Sequence, residues 1–345
     1  MNFLQTIWEE VLSFLGISNL LAIARSGDYG KLMTLDGILS TISPVIPFLL
    51  ILELLRAVFY KRFKIEDYKV PFLIFVANRV ISRFISIAAI AFCIGLLEPL
   101  AIFKTTFTWY WLIYGYIIWE FGHFIYHYLG HKVRLFWCLH STHHAPEKMN
   151  LSVIYSHFFL EAPYADVIRT SICILAGVNP PLLFFIMFID GTWGAFIHAG
   201  ENLLKDGRLG FLNKIILTPS HHRVHHAKNP LYMDTNFCNL LNIWDKLFGT
   251  FQDEKKEIAI EYGITRKINA RNFFDVYFGE FACLARDIKN APGLKNKILY
   301  MLKPPGWSHT GDHKTASVIK KNMIHEDNPL QYRNFSRMPE ETGVK

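Results

Sequence analysis

Histidines recur in this sequence at spacings that place several imidazoles on one face of a helix. Residues 140–144 read HSTHH and residues 222–226 read HRVHH, so the pattern His-x-x-His-His occurs twice. Positions i, i+3 and i+4 are neighbours on a helix surface, and His127 and His131 form an earlier i, i+4 pair. Each cluster can therefore direct two or three nitrogen donors at one point, as a metal ion requires.

The number of these histidines predicts two metal ions. His198 is expected on the same side of the membrane as these clusters. The candidate ligands are then His127, His131, His140, His143, His144, His198, His222, His225 and His226. A tetrahedral zinc ion needs four ligands, and a catalytic zinc needs three and a water. Imidazole also suits copper, iron and nickel, so residue type alone does not select the metal. The zinc-protease pattern HExxH does not occur in the sequence.

Other polar residues are predicted to surround the ligands. A carboxylate or amide beside a metal-binding imidazole can orient the ring and offset the charge of the metal. The candidates are His123, His221, Asn202, Glu120, Asp234 and Asp245. For each acid the alternative is a solvent-facing or ordinary ion-paired group. Four other histidines are predicted to be structural or surface groups: His157, His309, His313 and His325.

The composition is that of a membrane protein. Hydrophobic residues make up 51% of the 345 residues and charged residues only 19%, which is too apolar for two soluble domains. The net charge of +7 comes from scattered basic residues, so an anionic membrane surface is a better partner than nucleic acid. The five cysteines form no CxxC, which argues against a disulfide framework and favours a reducing compartment.

Apolar runs predict the membrane topology. Three of them, at about 42–60, 84–103 and 106–126, approach the roughly 20 residues needed to cross a bilayer. A shorter apolar hairpin follows at about 162–178 and 180–198. The 61–83 loop carries six basic residues against two acidic ones, which places it in the cytosol by the positive-inside rule. They are Lys61, Arg62, Lys64, Lys69, Arg79 and Arg83 against Glu66 and Asp67.

All histidine clusters should then lie on the cytosolic side, because the third helix runs back inward and a hairpin returns the chain to the side it left. The expected fold is all-α, a multi-pass transmembrane helix bundle with a cytosolic, histidine-rich di-metal cap. Residues 1–105 would hold an amphipathic interfacial helix and membrane helices, 106–252 the three histidine clusters, and 253–345 a polar cytosolic region.

The histidine clusters resemble the three histidine boxes of the fatty acid hydroxylase and sterol desaturase superfamily. The boxes are HYLGH at 127–131, HSTHH at 140–144 and HRVHH at 222–226. The stretches EFGHFIYHYLGH, TPSHHRVHH, NLLNIWDKLFGTF and KPPGW are similar to the alkylglycerol monooxygenase-like branch, which includes bacterial sterol desaturase family proteins. Tyr128 departs from the arginine that is usual after the first histidine of box one.

The resemblance implies an integral membrane oxygenase with two iron ions held by imidazoles. O₂ would be the co-substrate, and an external carrier such as a pterin, cytochrome b5 or ferredoxin would donate electrons. The implied reaction is hydroxylation of an alkyl chain of a membrane lipid, with the ether-linked carbon of an alkylglycerol as one candidate. The alternatives are a sterol or acyl-lipid desaturase with the same centre, and a non-redox membrane protein that binds or transports metal. The implied membrane is the bacterial inner membrane or the endoplasmic reticulum.

Overall fold

Six helices precede the first histidine cluster. The structure, a computed structural model, describes residues 3–78 and 81–325. The first six helices are α1 (Phe3–Phe14), α2 (Ser18–Ser26), α3 (Leu35–Ile42), α4 (Val45–Phe59), α5 (Glu66–Asn78) and α6 (Ile81–Leu97). The predicted N-terminal helix corresponds to α1. Arg79, counted in the positively charged loop, lies outside the described residues.

The histidine-bearing part of the chain is also helical. Its helices are α7 (Trp109–Lys132), α8 (Arg134–His144), α9 (Glu161–Leu175), α10 (Pro180–Ile197), α11 (Pro219–His225) and α12 (Ile243–Phe248). Three more helices follow: α13 (Phe273–Asn290), α14 (Gly293–Leu302) and α15 (Ala316–His325). In the described residues no β-strand longer than an isolated bridge occurs. The predicted all-α fold is therefore confirmed, whereas residues 326–345 of the predicted polar region lie outside the described part.

Three helical stretches among the described residues are long and apolar enough to cross a membrane. They are Leu35–Phe59, Ile81–Leu100 and Pro180–Ile197. The first two contain most of the predicted runs at 42–60 and 84–103, and the third is the second limb of the predicted hairpin. The first limb, α9, has 15 residues, a length of about 22 Å at the usual helical rise. It is too short for the roughly 30 Å hydrocarbon core.

The predicted span at 106–126 lies largely within a central helix, α7, which is not among these three stretches. This helix has 24 residues, but its second half carries polar side chains and is largely buried within the protein. Tyr116 and Trp119 pack with Leu182 and Ile186 of α10 in the main hydrophobic cluster. A Cβ atom on Gly122 would lie 3.1 Å from the Cα atom of Arg169, so glycine permits the close crossing of α7 and α9. Helix α7 therefore packs against protein over the half that carries the histidines.

The predicted 61–83 loop contains a helix, α5, which was not expected. Val70 and Ile74 of α5 pack in one cluster with Ala145, just after the second histidine box, and with Phe158. A positively charged connection can still be helical, because its apolar residues have a protein surface to cover. The packing places α5 on the same side of the protein as the histidines.

A buried acid connects α4 to the histidine-bearing part. Glu53 is 0% exposed, and its carboxylate accepts hydrogen bonds from the backbone N–H of Leu151 at 2.7 Å and of Gly200 at 3.1 Å. A Cβ atom on Gly200 would meet the carbonyl oxygen of Met149 at 2.1 Å, so only glycine fits there. Glu53 thus fixes two loops of the cap against a helix of membrane length.

Candidate metal centre

The nine predicted ligands converge into two buried groups. One donor atom from each residue lies within 4.8 Å of the others in its group. The five-histidine group consists of His127, His131, His140, His144 and His225. The four-histidine group consists of His143, His198, His222 and His226. The groups are adjacent, because the rings of His144 and His226, one from each, stack with centroids 4.4 Å apart.

Each His-x-x-His-His box supplies both groups. In the second box the i and i+4 residues, His140 and His144, enter the five-histidine group, whereas His143 enters the other. In the third box the assignment is reversed, since His222 and His226 share a group and His225 crosses to the five-histidine group. On a helix, residues i and i+4 are about 40° apart, but i+3 and i+4 are about 100° apart. One triplet can therefore face two centres.

Hydrogen bonds outside the groups fix the orientation of the rings. His127 Nδ1 donates to the carbonyl oxygen of Phe237 at 2.8 Å, and His225 Nδ1 donates to that of Thr235 at 2.8 Å. His198 Nδ1 lies 2.6 Å from a carbonyl oxygen of its own helix. A carbonyl can only accept, so each of these Nδ1 atoms carries the proton. Their Nε2 atoms therefore present lone pairs to the centre of each group.

The donor atoms fit metal ions. His127 Nε2 and His140 Nε2 lie 3.0 Å apart, although both rings use their Nδ1 proton elsewhere. The buried Nε2 atoms of His131 and His225 have no hydrogen-bond partner in the described residues. Lone pairs that face each other without a proton, or that are buried without a partner, are unfavourable. A cation among them would satisfy all of these atoms at once.

The histidines are held in the uncharged form that binds metals. Burial, and then repulsion from neighbouring imidazoles, lowers the pKa of His144 and His226 well below the ordinary 6.5. Burial likewise lowers the pKa of His131, to about 4, although Asp234 opposes the shift. A metal competes with protons for the ring nitrogens. At neutral pH these side chains therefore need not release a proton before they bind a metal ion.

Of the acids predicted beside the ligands, only Asp234 contacts one of the nine histidines in the described hydrogen bonds and ion pairs. Its Oδ1 lies 3.4 Å from His131 Nδ1, and Lys132 binds its other oxygen. Glu120 accepts from the backbone N–H groups of Asn239 and Leu240.

Asp245 contacts no ligand directly in the described hydrogen bonds and ion pairs but holds a loop that orients one of them. It accepts from the N–H groups of Phe237 and Cys238 at 2.8 Å each, and thereby holds the loop whose Phe237 carbonyl orients His127.

The remaining predicted neighbours belong to neither group. His123 Nδ1 lies 3.7 Å from an oxygen of Asp190, and its ring meets that of His127 edge-on with centroids 5.6 Å apart. His221 caps its own helix through Thr218 and lies 2.9 Å from Asp253 through Nε2.

Asn202 is hydrogen-bonded through its backbone. Its carbonyl oxygen accepts from the Arg56 side chain at 3.0 Å.

Two further residues, His157 and Glu161, lie beside the groups and were not among the predicted neighbours; His157 was predicted to be a structural or surface group. The carboxylate of Glu161 lies 2.5 Å from His140 Nδ1 and 2.8 Å from His157 Nδ1. The ring of His157 stacks on that of His143 with centroids 4.2 Å apart. The i, i+4 spacing of His157 and Glu161 was a signal in the sequence, but a search for histidine pairs alone does not find it.

A cavity opens onto the five-histidine group. Its volume is about 1520 Å³, and His131, His144 and His225 form part of its wall. The opposite wall comes from α13, α15 and the segment 258–268. None of its lining residues belongs to the three stretches of membrane length. The cavity therefore leads from the histidines into the cap and away from the candidate spans.

The part of the chain that carries the histidines is similar to known proteins. Residues 111–250 match the family model described as Fatty acid hydroxylase. The chain is 33% identical over 189 residues to alkylglycerol monooxygenase of Xenopus tropicalis, covering 54% of this chain and 40% of that protein. For the Homo sapiens alkylglycerol monooxygenase the identity is 32% over 201 residues, covering 58% and 42%.

A bacterial relative extends the comparison. The ornithine lipid hydroxylase OlsE of Rhizobium tropici is 28% identical over 157 residues, or 46% of each chain. The matches span about two fifths of the length of the alkylglycerol monooxygenases, and no solved structure matches the chain. The matched segment contains all three histidine boxes and His198. Residues 111–250 are thus similar to the fatty acid hydroxylase family.

Proposed function

We propose that this protein is a membrane-bound di-iron oxygenase that uses O₂ to hydroxylate an alkyl chain of a lipid. The observation that carries the proposal is the pair of adjacent groups of buried imidazoles whose Nε2 lone pairs converge. The catalytic domain would be 106–252, flanked by the membrane region 1–105 and the polar region 253–345. Two iron ions bound there would supply the activation of O₂.

The surrounding residues support this chemistry. Hydroxylation of an alkyl C–H bond by O₂ consumes two electrons and two protons and releases one water. All nine imidazoles are buried, which limits the contact of their donor atoms with bulk water. His198 directly follows α10, whose full length is apolar enough to span a membrane. A lipid chain leaving the bilayer along α10 would meet the four-histidine group at the end of that helix.

The relatives support a lipid as substrate. They include an alkylglycerol monooxygenase and an ornithine lipid hydroxylase. The ether-linked carbon of an alkylglycerol is our first candidate position, where hydroxylation gives a hemiacetal that falls apart. Desaturation of a sterol or acyl lipid by the same centre is the second candidate. The electrons would come from an external donor: a pterin, cytochrome b5 or ferredoxin.

Labelled oxygen tests the proposal. Cells that produce the protein and cells that produce His143→Ala are grown under ¹⁸O₂, and their lipid extracts are compared by mass spectrometry. Hydroxylation predicts a lipid or lipid fragment that carries one ¹⁸O atom only with the unchanged protein. An unlabelled alkene would indicate desaturation. Identical extracts together with tight metal binding would indicate a non-redox metal protein.

We further propose that the histidine groups face the cytosol. Single cysteines at Arg62 and at Lys256, both exposed, should react with a membrane-impermeant reagent only from the cytosolic side, whereas Lys104→Cys should react only from the other side. The reason is the positive charge of the 61–83 segment and its packing beside the histidines. Cys283, the only native cysteine that is not buried, is first replaced by Ser. Reaction of Arg62→Cys and Lys256→Cys from opposite sides would contradict this topology.

A further inference from the structure

One carboxylate, that of Glu161, is connected to both histidine groups. Its Oε1 accepts from His140 Nδ1, of the five-histidine group, at 2.5 Å. Its Oε2 accepts from His157 Nδ1 at 2.8 Å. The His157 ring lies almost parallel to that of His143, of the four-histidine group, at an angle of 14° and a centroid distance of 4.2 Å. The two carboxylate oxygens of Glu161 therefore each connect to a different histidine group.

The surroundings of Glu161 hold it in this position. The residue is 3% exposed, and a buried carboxylate is stable only when donors satisfy its oxygens. Here both oxygens are occupied by imidazole N–H groups. Glu161 is also the first residue of α9, where the helix dipole favours a negative charge. A helix that packs along α7 therefore carries the carboxylate, and the backbone beneath it is rigid.

We propose that Glu161 is a positioning residue that sets the metal affinity of both histidine groups. By accepting the Nδ1 proton of His140, it fixes the ring with Nε2 directed into the five-histidine group. By holding His157, it keeps a ring flat against His143 and limits the rotation of that ligand. Its charge also offsets part of the positive charge of two adjacent metal ions. This inference rests on the proposed metal centre.

Metal titration tests the inference. Purified, metal-free protein in detergent is titrated with Co²⁺ in competition with a chelator, and visible absorption follows the occupation of each group. Ions with four and five ligands differ in absorption intensity, so the two groups can be followed separately. Glu161→Gln keeps the shape but loses the charge and one of the two acceptor oxygens. We expect both dissociation constants to rise about 10- to 100-fold, as is usual for a partner of a metal-binding histidine.

Two further variants distinguish the loss of the Glu161 contacts from a general disturbance of α9. His157→Gln, at a partly exposed position, should weaken only the four-histidine group. Asp166→Asn removes another buried acid of α9, which pairs with Arg169 at 2.8 Å and contacts neither group. Both of its dissociation constants should stay within about twofold of the unchanged protein, because no metal-binding ring loses its partner.

The outcomes distinguish this inference from the proposed function. If the unchanged protein binds two metal ions and Glu161→Gln binds them equally well, or weakens only one, the inference fails and the proposed function stands. An equal loss in Asp166→Asn would also overturn it, because the effect would then belong to α9 as a whole. If the unchanged protein does not bind two metal ions, the proposed function fails and this inference fails with it.

Discussion

Replacing His222 by Ala should abolish hydroxylation and lower the metal content from two ions to about one per chain. His222 Nε2 lies 2.9 Å from His198 Nε2 and 3.0 Å from His226 Nε2, so its loss leaves three donors in the smaller group. The five-histidine group takes only His225 from the same box and should keep its ion. The measurements are the iron content of purified protein and ¹⁸O incorporation into lipid at matched expression.

His309→Ala is the matched control for this result. His309 accepts or donates a hydrogen bond with the Tyr300 hydroxyl at 2.8 Å and belongs to neither group, so iron content and turnover should be nearly unchanged. His225→Ala should lose metal first from the five-histidine group, to which His225 belongs. Normal iron content and turnover in both box-three variants would show that the repeated His-x-x-His-His pattern does not form the metal centre.

Mild acid should unfold the metal-free protein. In the unfolded chain a histidine titrates near 6.5, whereas burial lowers the pKa of folded His131 to about 4. Between these values the unfolded state binds a proton that the folded state does not, so the free energy of unfolding falls as the pH falls. Above 6.5 both states are neutral and the full stability is present. His131 alone would lose stability on the order of 3 kcal/mol across this window.

Other histidines act in the same direction, since burial also lowers the pKa of His144 and His226. Thermal unfolding of the metal-free protein in detergent should therefore shift to much lower temperature between pH 7 and pH 5. His131→Gln removes one of the titrating groups and should flatten the curve, whereas His309→Ala should leave its slope unchanged. An unfolding temperature that stays constant over this range would contradict the buried, neutral state of the imidazoles.

Much of the site was predictable, because ligand spacing is a local property of helices. The i, i+3, i+4 pattern identifies eight of the nine histidines before any fold is known. The division of each box between two groups was not predictable, because it depends on how α8 and α11 face each other. The same holds for Glu161, whose two contacts join residues of different elements. Of these two contacts, only the i, i+4 spacing of His157 and Glu161 is visible in the sequence.

The fold shows a similar limit. Hydropathy alone identified the stretches that became Leu35–Phe59, Ile81–Leu100 and Pro180–Ile197. It also predicted a span at 106–126, which lies largely within α7 and is not among these three stretches. The polar residues on the second half of α7, including Glu120 and His123, are buried within the protein. Their partners lie far away in the sequence, so the pattern of α7 alone could not reveal them.

The buried acid of α4 has a consequence for the order in which the chain is made. Glu53 receives its hydrogen bonds from residues 98 and 147 positions later. At about 5–20 residues per second, a ribosome needs roughly 7 to 30 seconds to supply the second donor. During that time an acid that costs about 3 kcal/mol in the middle of a bilayer has no backbone partner. Helix α4 is therefore synthesised early. Its buried acid gains both backbone partners only when the histidine-bearing part of the chain has folded onto α4.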